Sequence, residues 1–166
     1  MSELALGSAA LLVLTKEIRV DREALDRHAA DLLSALAAAP WAADSPTLSV
    51  VAVAIHHYYG AAESIFERVA RAFEGPPERS DRWHQHLLDR MALSLDGVRP
   101  GILRRDTARA LAPVLGFRQF FRHAYAVSFD PRRLELAARD VIGAQTFLRD
   151  DLDALENALT TAARGE

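Results

Sequence analysis

Apolar residues recur three or four positions apart along most of the chain, which is the repeat expected for one face of an α-helix. The first stripe lies in residues 9–38, with a break expected near Val20–Asp21, and comprises Leu11, Leu14, Ile18, Leu25, Leu32 and Leu36. The second follows Ser45–Pro46, a capping residue and a first-turn proline, and comprises Leu48, Val51, Ile55, Tyr58, Ala62, Phe66, Val69 and Phe73. These stripes predict two long amphipathic helices.

The remaining sequence predicts one short helix and two more long ones. Ser80 is a candidate cap for the short helix, which carries Trp83, Leu87 and Met91. A fourth helix is expected from Asp106 or Thr107 to His123, with a kink or interruption at Pro113 because proline lacks the backbone N–H. The fifth begins at the Asp130–Pro131 cap and carries Leu134, Ala138, Val141, Gln145, Leu148, Leu152, Leu155 and Leu159.

No stretch of useful length alternates as a β-strand does, and neither an internal repeat nor a dividing linker is visible. The 166 residues fit one domain. The pattern therefore predicts an all-α fold, an antiparallel bundle of four long helices and one short helix, over residues 1–166 as a single domain.

Composition narrows the classes of chemistry and location. The chain has no cysteine, which excludes disulfide scaffolds, cysteine-ligated metals and thiol nucleophiles. Its one long apolar run, residues 4–14, is shorter than the roughly 20 residues that span a bilayer and lacks the features of a secretory signal. We therefore expect a cytoplasmic protein that does not enter the membrane.

The net charge of −3 is unevenly distributed along the chain. Residues 99–139 contain nine arginines and three carboxylates, a net charge of +6, and the remainder carries −9. The basic quarter could therefore bind a polyanion even though the whole chain is acidic. The phenylalanines within it are expected to belong to the core rather than to stack on bases.

The basic segment contains the strongest candidate for catalysis, in Arg118, Arg122, His123 and Tyr125. A helix turns about 100° per residue, so Arg118, Arg122 and Tyr125 share a face and His123 lies about 140° from Arg118. Arg118 and His123 can meet on one ligand only if the helix ends or bends, or if two chains combine their residues. A helix end close to His123 would favour imidazolium, and imidazole beside guanidinium is suited to phosphodiester chemistry.

A second polar group lies in the second predicted helix, where His56, Tyr59 and Glu63 follow one another on one side of the apolar stripe. They form either a structural triad, with Glu63 accepting a hydrogen bond from Tyr59, or a second wall of an active cleft. His84 and His86, two apart, should point to different sides of their helix and are expected at the surface or at an interface. The paired Glu-x-x-His motif of metal-binding bundles is absent, so we expect no metal or cofactor.

The spacing Arg118-x4-His123-x-Tyr125 resembles the R-x4-H-x-Y signature of HepT-type toxins in the HEPN ribonuclease superfamily. Gln119 occupies the position after the arginine, where the superfamily usually has a polar residue. Four stretches are similar to a HepT-like branch in the same order: His57–Ala70, Trp83–Met91, Gly97–Pro100, and Gly116–Tyr125 followed by Asp130–Leu134. The resemblance covers about residues 45–140.

This resemblance implies a HEPN-like helical bundle that acts as a homodimer, with motifs from both chains facing a shared cleft. It implies metal-independent RNA cleavage with Arg118 and His123 as catalytic residues. In related pairs a minimal nucleotidyltransferase antitoxin adds AMP to the motif tyrosine, here Tyr125. The residues that we expect to bind RNA are Gln119, Arg122, Arg132 and Arg133.

Two other functions remain open from the sequence. The chain could be a non-catalytic HEPN module whose basic cleft docks a nucleotidyltransferase or a nucleotide, or a purely structural dimerisation bundle. The Arg-His-Tyr spacing within a basic segment favours the nuclease and the binding module over the structural bundle, but it does not separate those two.

Overall fold

The computed structural model describes residues 6–123 and 128–165. Within these ranges the chain forms five helices: α1 (Ser8–Leu36), α2 (Thr47–Phe73), α3 (Trp83–Met91), α4 (Arg105–His123) and α5 (Pro131–Arg164). Four are long and α3 is short. The predicted all-α bundle is confirmed.

Polar contacts between helices show which neighbours run in opposite directions. As residue numbers rise along α1, the numbers of the residues that they contact fall along both α2 and α5. The contacts are Asp21–Arg68 and His28–His57 with α2, and Arg22–Glu156 and Asp26–Gln145 with α5. Both α2 and α5 are therefore antiparallel to α1. The remaining helix, α4, packs on α5 and α2, and α3 bridges α2 and α4.

Helix α2 lies at the centre of the bundle because it packs against all four other helices. Its predicted stripe is buried apart from Phe73, which is partly buried at the helix end, and Tyr58, Phe66 and Val69 are each 0% exposed. The Tyr58 hydroxyl donates to Gln145 at 2.7 Å, and Gln145 in turn donates to Asp26 at 2.7 Å. These two hydrogen bonds give the hydroxyl of the fully buried Tyr58 a partner, and they link α1, α2 and α5.

Two predicted interruptions do not occur. Helix α1 continues through Val20–Asp21, where Asp21 accepts a hydrogen bond from Arg68 at 2.7 Å and so holds the turn against α2. Helix α4 continues through Pro113, which lies on an exposed face. Packing explains the continuity, because Val114 and Leu115, next along the helix, are buried in the core and offset the lost backbone hydrogen bond.

The connection from α3 to α4 is organised by a buried arginine. Arg99 is 4% exposed, pairs with Glu74 beyond the end of α2, and donates to the carbonyls of Leu93, Pro100 and Arg90. A single side chain therefore ties the α3–α4 loop to the end of α2.

The start of α5 follows the prediction. The Asp130 side chain accepts from the backbone N–H groups of Arg132 and Arg133, at 2.9 and 3.4 Å, and Pro131 occupies the first turn. This cap leaves the Arg132 and Arg133 side chains exposed close to the end of α4. Among the described residues, no helix combines the length and the apolar character needed to cross a membrane.

Candidate active site at the end of α4

Arg118 projects toward the interior because it continues the buried face of α4. It follows Leu111, Val114 and Leu115 at helical spacing, and these three are at most 1% exposed. Its side chain is 13% exposed, and its Nη2 lies 3.1 Å from Oε1 of Glu63 on α2, whose side chain is 7% exposed. The guanidinium and carboxylate therefore form an ion pair that is largely removed from water.

His84 joins this ion pair from α3. Its Nδ1 lies 2.5 Å from Oε2 of Glu63, and a carboxylate only accepts, so Nδ1 carries a proton and donates it. Its Nε2 lies 3.2 Å from Nη1 of Arg122, and a guanidinium only donates, so Nε2 accepts. The imidazole is therefore neutral and links the carboxylate to the guanidinium of Arg122. Arg118 Nη1 lies 3.3 Å from His84 Nδ1, a contact between two donors.

We name Glu63, His84, Arg118 and Arg122 the Glu–His–Arg cluster. It draws its members from α2, α3 and α4, and its formal charges are one carboxylate and two guanidiniums. The cluster therefore has a net charge of +1 at a site partly shielded from solvent, where electrostatic attraction for an anion is stronger than at an open surface.

Tyr59, which follows His56 and precedes Glu63 in the polar group predicted on α2, lies beside Arg118. Tyr59 is 0% exposed, and its ring centroid lies 5.9 Å from Cζ of Arg118, within the range of a cation–π contact. Its hydroxyl has no hydrogen-bond partner among the described residues. Glu63 faces His84 and Arg118 instead, so the expected bond from Tyr59 to Glu63 is not formed.

His56 lies one turn before Tyr59 and packs against α4. Its ring centroid is 5.0 Å from that of Phe121. Burial lowers the pKa of His56, and the positive charges of Arg118, His57 and Arg122 lower it further. His56 is therefore a neutral side chain beside the Glu–His–Arg cluster.

His123 lies apart from the cluster in the single chain. It is exposed at the last residue of α4 and makes no hydrogen bond or ion pair with any described residue. Since α4 is continuous from Arg118 to His123, the angular separation expected from the sequence is retained. Tyr125 lies outside the described residues. One chain therefore does not bring Arg118 and His123 together.

Ion pairs reduce the basic surface that the sequence suggested. Five of the nine arginines in residues 99–139 pair with carboxylates: Arg99, Arg104, Arg109, Arg118 and Arg139. Among the described residues, the other four have no carboxylate partner: Arg105, Arg122, Arg132 and Arg133. Three of these four are predicted RNA-binding residues. Gln119, the fourth residue predicted to bind RNA, is exposed on α4.

An aromatic cavity of about 230 Å³ lies between α4 and the start of α5. Phe117, Phe120, Phe129 and Arg133 contribute to its walls. Phe120 is 52% exposed, in contrast to the expectation that these phenylalanines belong to the core. Within the described residues, no three histidine or acidic side chains are grouped so as to hold a metal ion.

His84 is a residue of the site whose burial the sequence did not predict. It was expected at the surface or an interface, but it is 8% exposed, whereas His86 is exposed on the other side of α3. A signal was present, because His84 precedes Leu88 by four residues and Met91 by seven, and both are 0% exposed. Its contact with Glu63 joins residues 21 positions apart, and helical periodicity carries no information about such a pair.

Comparison with protein families identifies the family of the chain. The sequence model of a family described as HepT-like protein matches residues 50–159. That range contains all members of the Glu–His–Arg cluster together with His123 and Tyr125. No curated protein and no solved structure matches the chain significantly.

Proposed function

The chain belongs to the HepT-like protein family, and from this premise we propose that it is the endoribonuclease toxin of a toxin–antitoxin pair, acting on RNA in the cytoplasm. The observation that carries the proposal is the pair of guanidiniums, Arg118 and Arg122, that meet at His84 with an excess positive charge. The exposed imidazole of His123 follows them directly along α4. Phosphate recognition and proton transfer are the two functions that RNA cleavage requires.

In the proposed reaction no metal takes part. One His123 removes the proton from a ribose 2′-hydroxyl, and the second His123 of the dimer protonates the departing 5′-oxygen. The 2′-oxygen bonds to phosphorus as the bond to the 5′-oxygen breaks, which gives a 2′,3′-cyclic phosphate and a 5′-hydroxyl. Arg118 stabilises the additional negative charge on the phosphorane.

A homodimer supplies the arrangement that a single chain lacks. Arg118 and His123 project from different sides of one α4, so the proposed cleft combines residues of two chains. Phe120, half-exposed and three residues before His123, is an apolar side chain available to such an interface. A dimer also provides two copies of His123, one for each proton transfer.

The first test of this function replaces the imidazole. His123→Ala should abolish RNA cleavage and toxicity while circular dichroism and sedimentation show an unchanged folded dimer, because His123 has no bond to any other described residue. His86→Ala, at another exposed histidine, is the matched control and should keep full activity. Full toxicity of His123→Ala would contradict the catalytic assignment.

Inhibition is proposed to come from a minimal nucleotidyltransferase that attaches AMP to Tyr125. The chain has three tyrosines, and Tyr58 and Tyr59 are each 0% exposed, so neither hydroxyl is accessible to an enzyme. Bulk and negative charge added to the proposed cleft would exclude the RNA phosphate.

Intact mass spectrometry of the protein co-expressed with its antitoxin tests this modification. We expect increments of one or more AMP groups in the wild type and none in Tyr125→Phe. AMP retained on Tyr125→Phe would show that the modified residue is a different one.

One observation favours the non-catalytic binding module as a second candidate. Arg118 is already paired with Glu63 at 3.1 Å, and within a single chain the exposed His123 lies away from it. For a binding module, the purified dimer would cleave no RNA and would still form a stable complex with the nucleotidyltransferase. The two candidates are therefore separated by one cleavage assay on purified protein.

A further inference from the structure

We propose that His84, held by the same Glu63 carboxylate that anchors Arg118, is a positioning residue that orients Arg122 beside Arg118, so that the two guanidiniums form a clamp for one RNA phosphate. This role rests on the proposed ribonuclease function for the identity of the ligand. The alignment itself is a property of the folded chain and can be measured without RNA.

The first argument is that Arg122 depends on His84 for its orientation. Arg122 is exposed, and among the described residues its one polar side-chain contact is with Nε2 of His84, at 3.2 Å. A free arginine side chain has many accessible rotamers, and a ligand would otherwise have to overcome that entropy on binding. By accepting this hydrogen bond, His84 restricts the side chain before the ligand arrives.

The second argument is that Glu63 fixes His84 and Arg118 together. Its Oε2 accepts from His84 Nδ1 and its Oε1 accepts from Arg118 Nη2, so one carboxylate uses both oxygens in the cluster. All three side chains are at most 13% exposed. The same carboxylate therefore sets the imidazole orientation and anchors the arginine one turn before Arg122.

The third argument concerns charge. A carboxylate at position 84 would also hold Arg122, but it would cancel the positive charge of the cluster. A neutral imidazole accepts the hydrogen bond and leaves the charge of Arg122 intact. Arg122 uses only Nη1 for this contact, and its other N–H groups stay available to phosphate oxygens.

The test compares two substitutions at the same position. In His84→Phe the ring shape is kept but both nitrogens are lost, whereas in His84→Gln one amide can donate to Glu63 and accept from Arg122. We expect His84→Phe to lower kcat/KM for RNA by roughly 100-fold, the scale of loss for a misplaced catalytic group, and His84→Gln to restore most of it. The control is His86→Phe, at an exposed position of the same helix, and it should behave as wild type.

A second measurement reports alignment without cleavage. In NMR spectra of the RNA-free protein, the Nε–H signals of Arg118 and Arg122 should be those of ordered side chains in the wild type and in His84→Gln. In His84→Phe the order should be lost at Arg122 and kept at Arg118, which still has Glu63. If His84→Phe does not fold, His84→Asn takes its place. The shorter amide retains a group near the position of Nδ1 but none near that of Nε2, so we expect the same loss of side-chain order at Arg122.

The outcomes distinguish the two proposals. If the wild type cleaves no RNA but Arg122 loses order in His84→Phe, the ribonuclease function is wrong and the positioning role stands. If His84→Phe cleaves RNA as the wild type does, or loses cleavage while Arg122 stays ordered, the positioning role is overturned. In the latter case His84 itself acts on the RNA.

Discussion

At the scale of single residues, Tyr58 and Tyr59 show how neighbouring side chains of equal burial serve different purposes. Both are 0% exposed, and burial raises the pKa of both phenols far above the ordinary value. The Tyr58 hydroxyl donates to Gln145, whereas that of Tyr59 has no partner among the described residues. The hydroxyl of Tyr58 thus contributes to the fold, and that of Tyr59 lies unpaired near Arg118.

This difference predicts opposite effects of the same substitution. Tyr58→Phe should lower the free energy of unfolding by about 1 kcal/mol, because it removes a buried hydrogen bond and leaves Gln145 without its donor. Tyr59→Phe should leave stability unchanged or raise it, because it removes an unsatisfied polar atom. Urea unfolding of the two variants is the measurement, and an equal loss in both would contradict the assigned environments.

At the scale of elements, the sequence predicted the helices well and their contacts poorly. Periodicity located all five helices because each helix must bury one stripe. The predicted cap is confirmed at Asp130–Pro131 of α5, but Ser80 does not cap α3, whose N-cap residue is Arg82, and Pro46 directly precedes α2 instead of lying in its first turn. Continuity through Pro113 was not predictable, since it depends on how firmly Val114 and Leu115 pack on other helices.

The same distinction applies to the candidate site. The motif residues Arg118 and His123 were recognisable because they lie five residues apart on one helix. The roles of Glu63 and His84 were not, because α2, α3 and α4 must be packed before these side chains meet. A polar residue in register with a buried stripe, as His84 is, indicates a cross-helix partner but not its identity.

At the scale of the whole molecule, the arrangement of ion pairs determines which arginines are available to a polyanion. Arg109 pairs with Asp106 at 3.6 Å, near the start of α4. Arg133 is exposed at the start of α5, beside the aromatic cavity, and has no carboxylate partner among the described residues. The two differ in local charge although both belong to the same basic segment, because the neighbouring Asp106 carboxylate offsets the charge of Arg109.

We therefore predict that these two arginines contribute differently to RNA binding. Arg133→Gln should weaken binding of single-stranded RNA and reduce the slope of log Kd against log salt concentration by about 0.7, as expected for one lost phosphate contact. Arg109→Gln should change that slope by much less. Filter-binding titrations at several salt concentrations measure both, and equal slopes for the two variants would contradict the assignment.

The central place of α2 in the bundle determines at what stage of unfolding the support of Arg118 is lost. Tyr59 and Glu63 belong to the one helix that packs against every other helix, so α2 cannot open locally without separating the bundle. The support of Arg118 therefore persists until the whole chain unfolds. In a destabilised variant, every molecule that is still folded should therefore keep the support that α2 gives to Arg118.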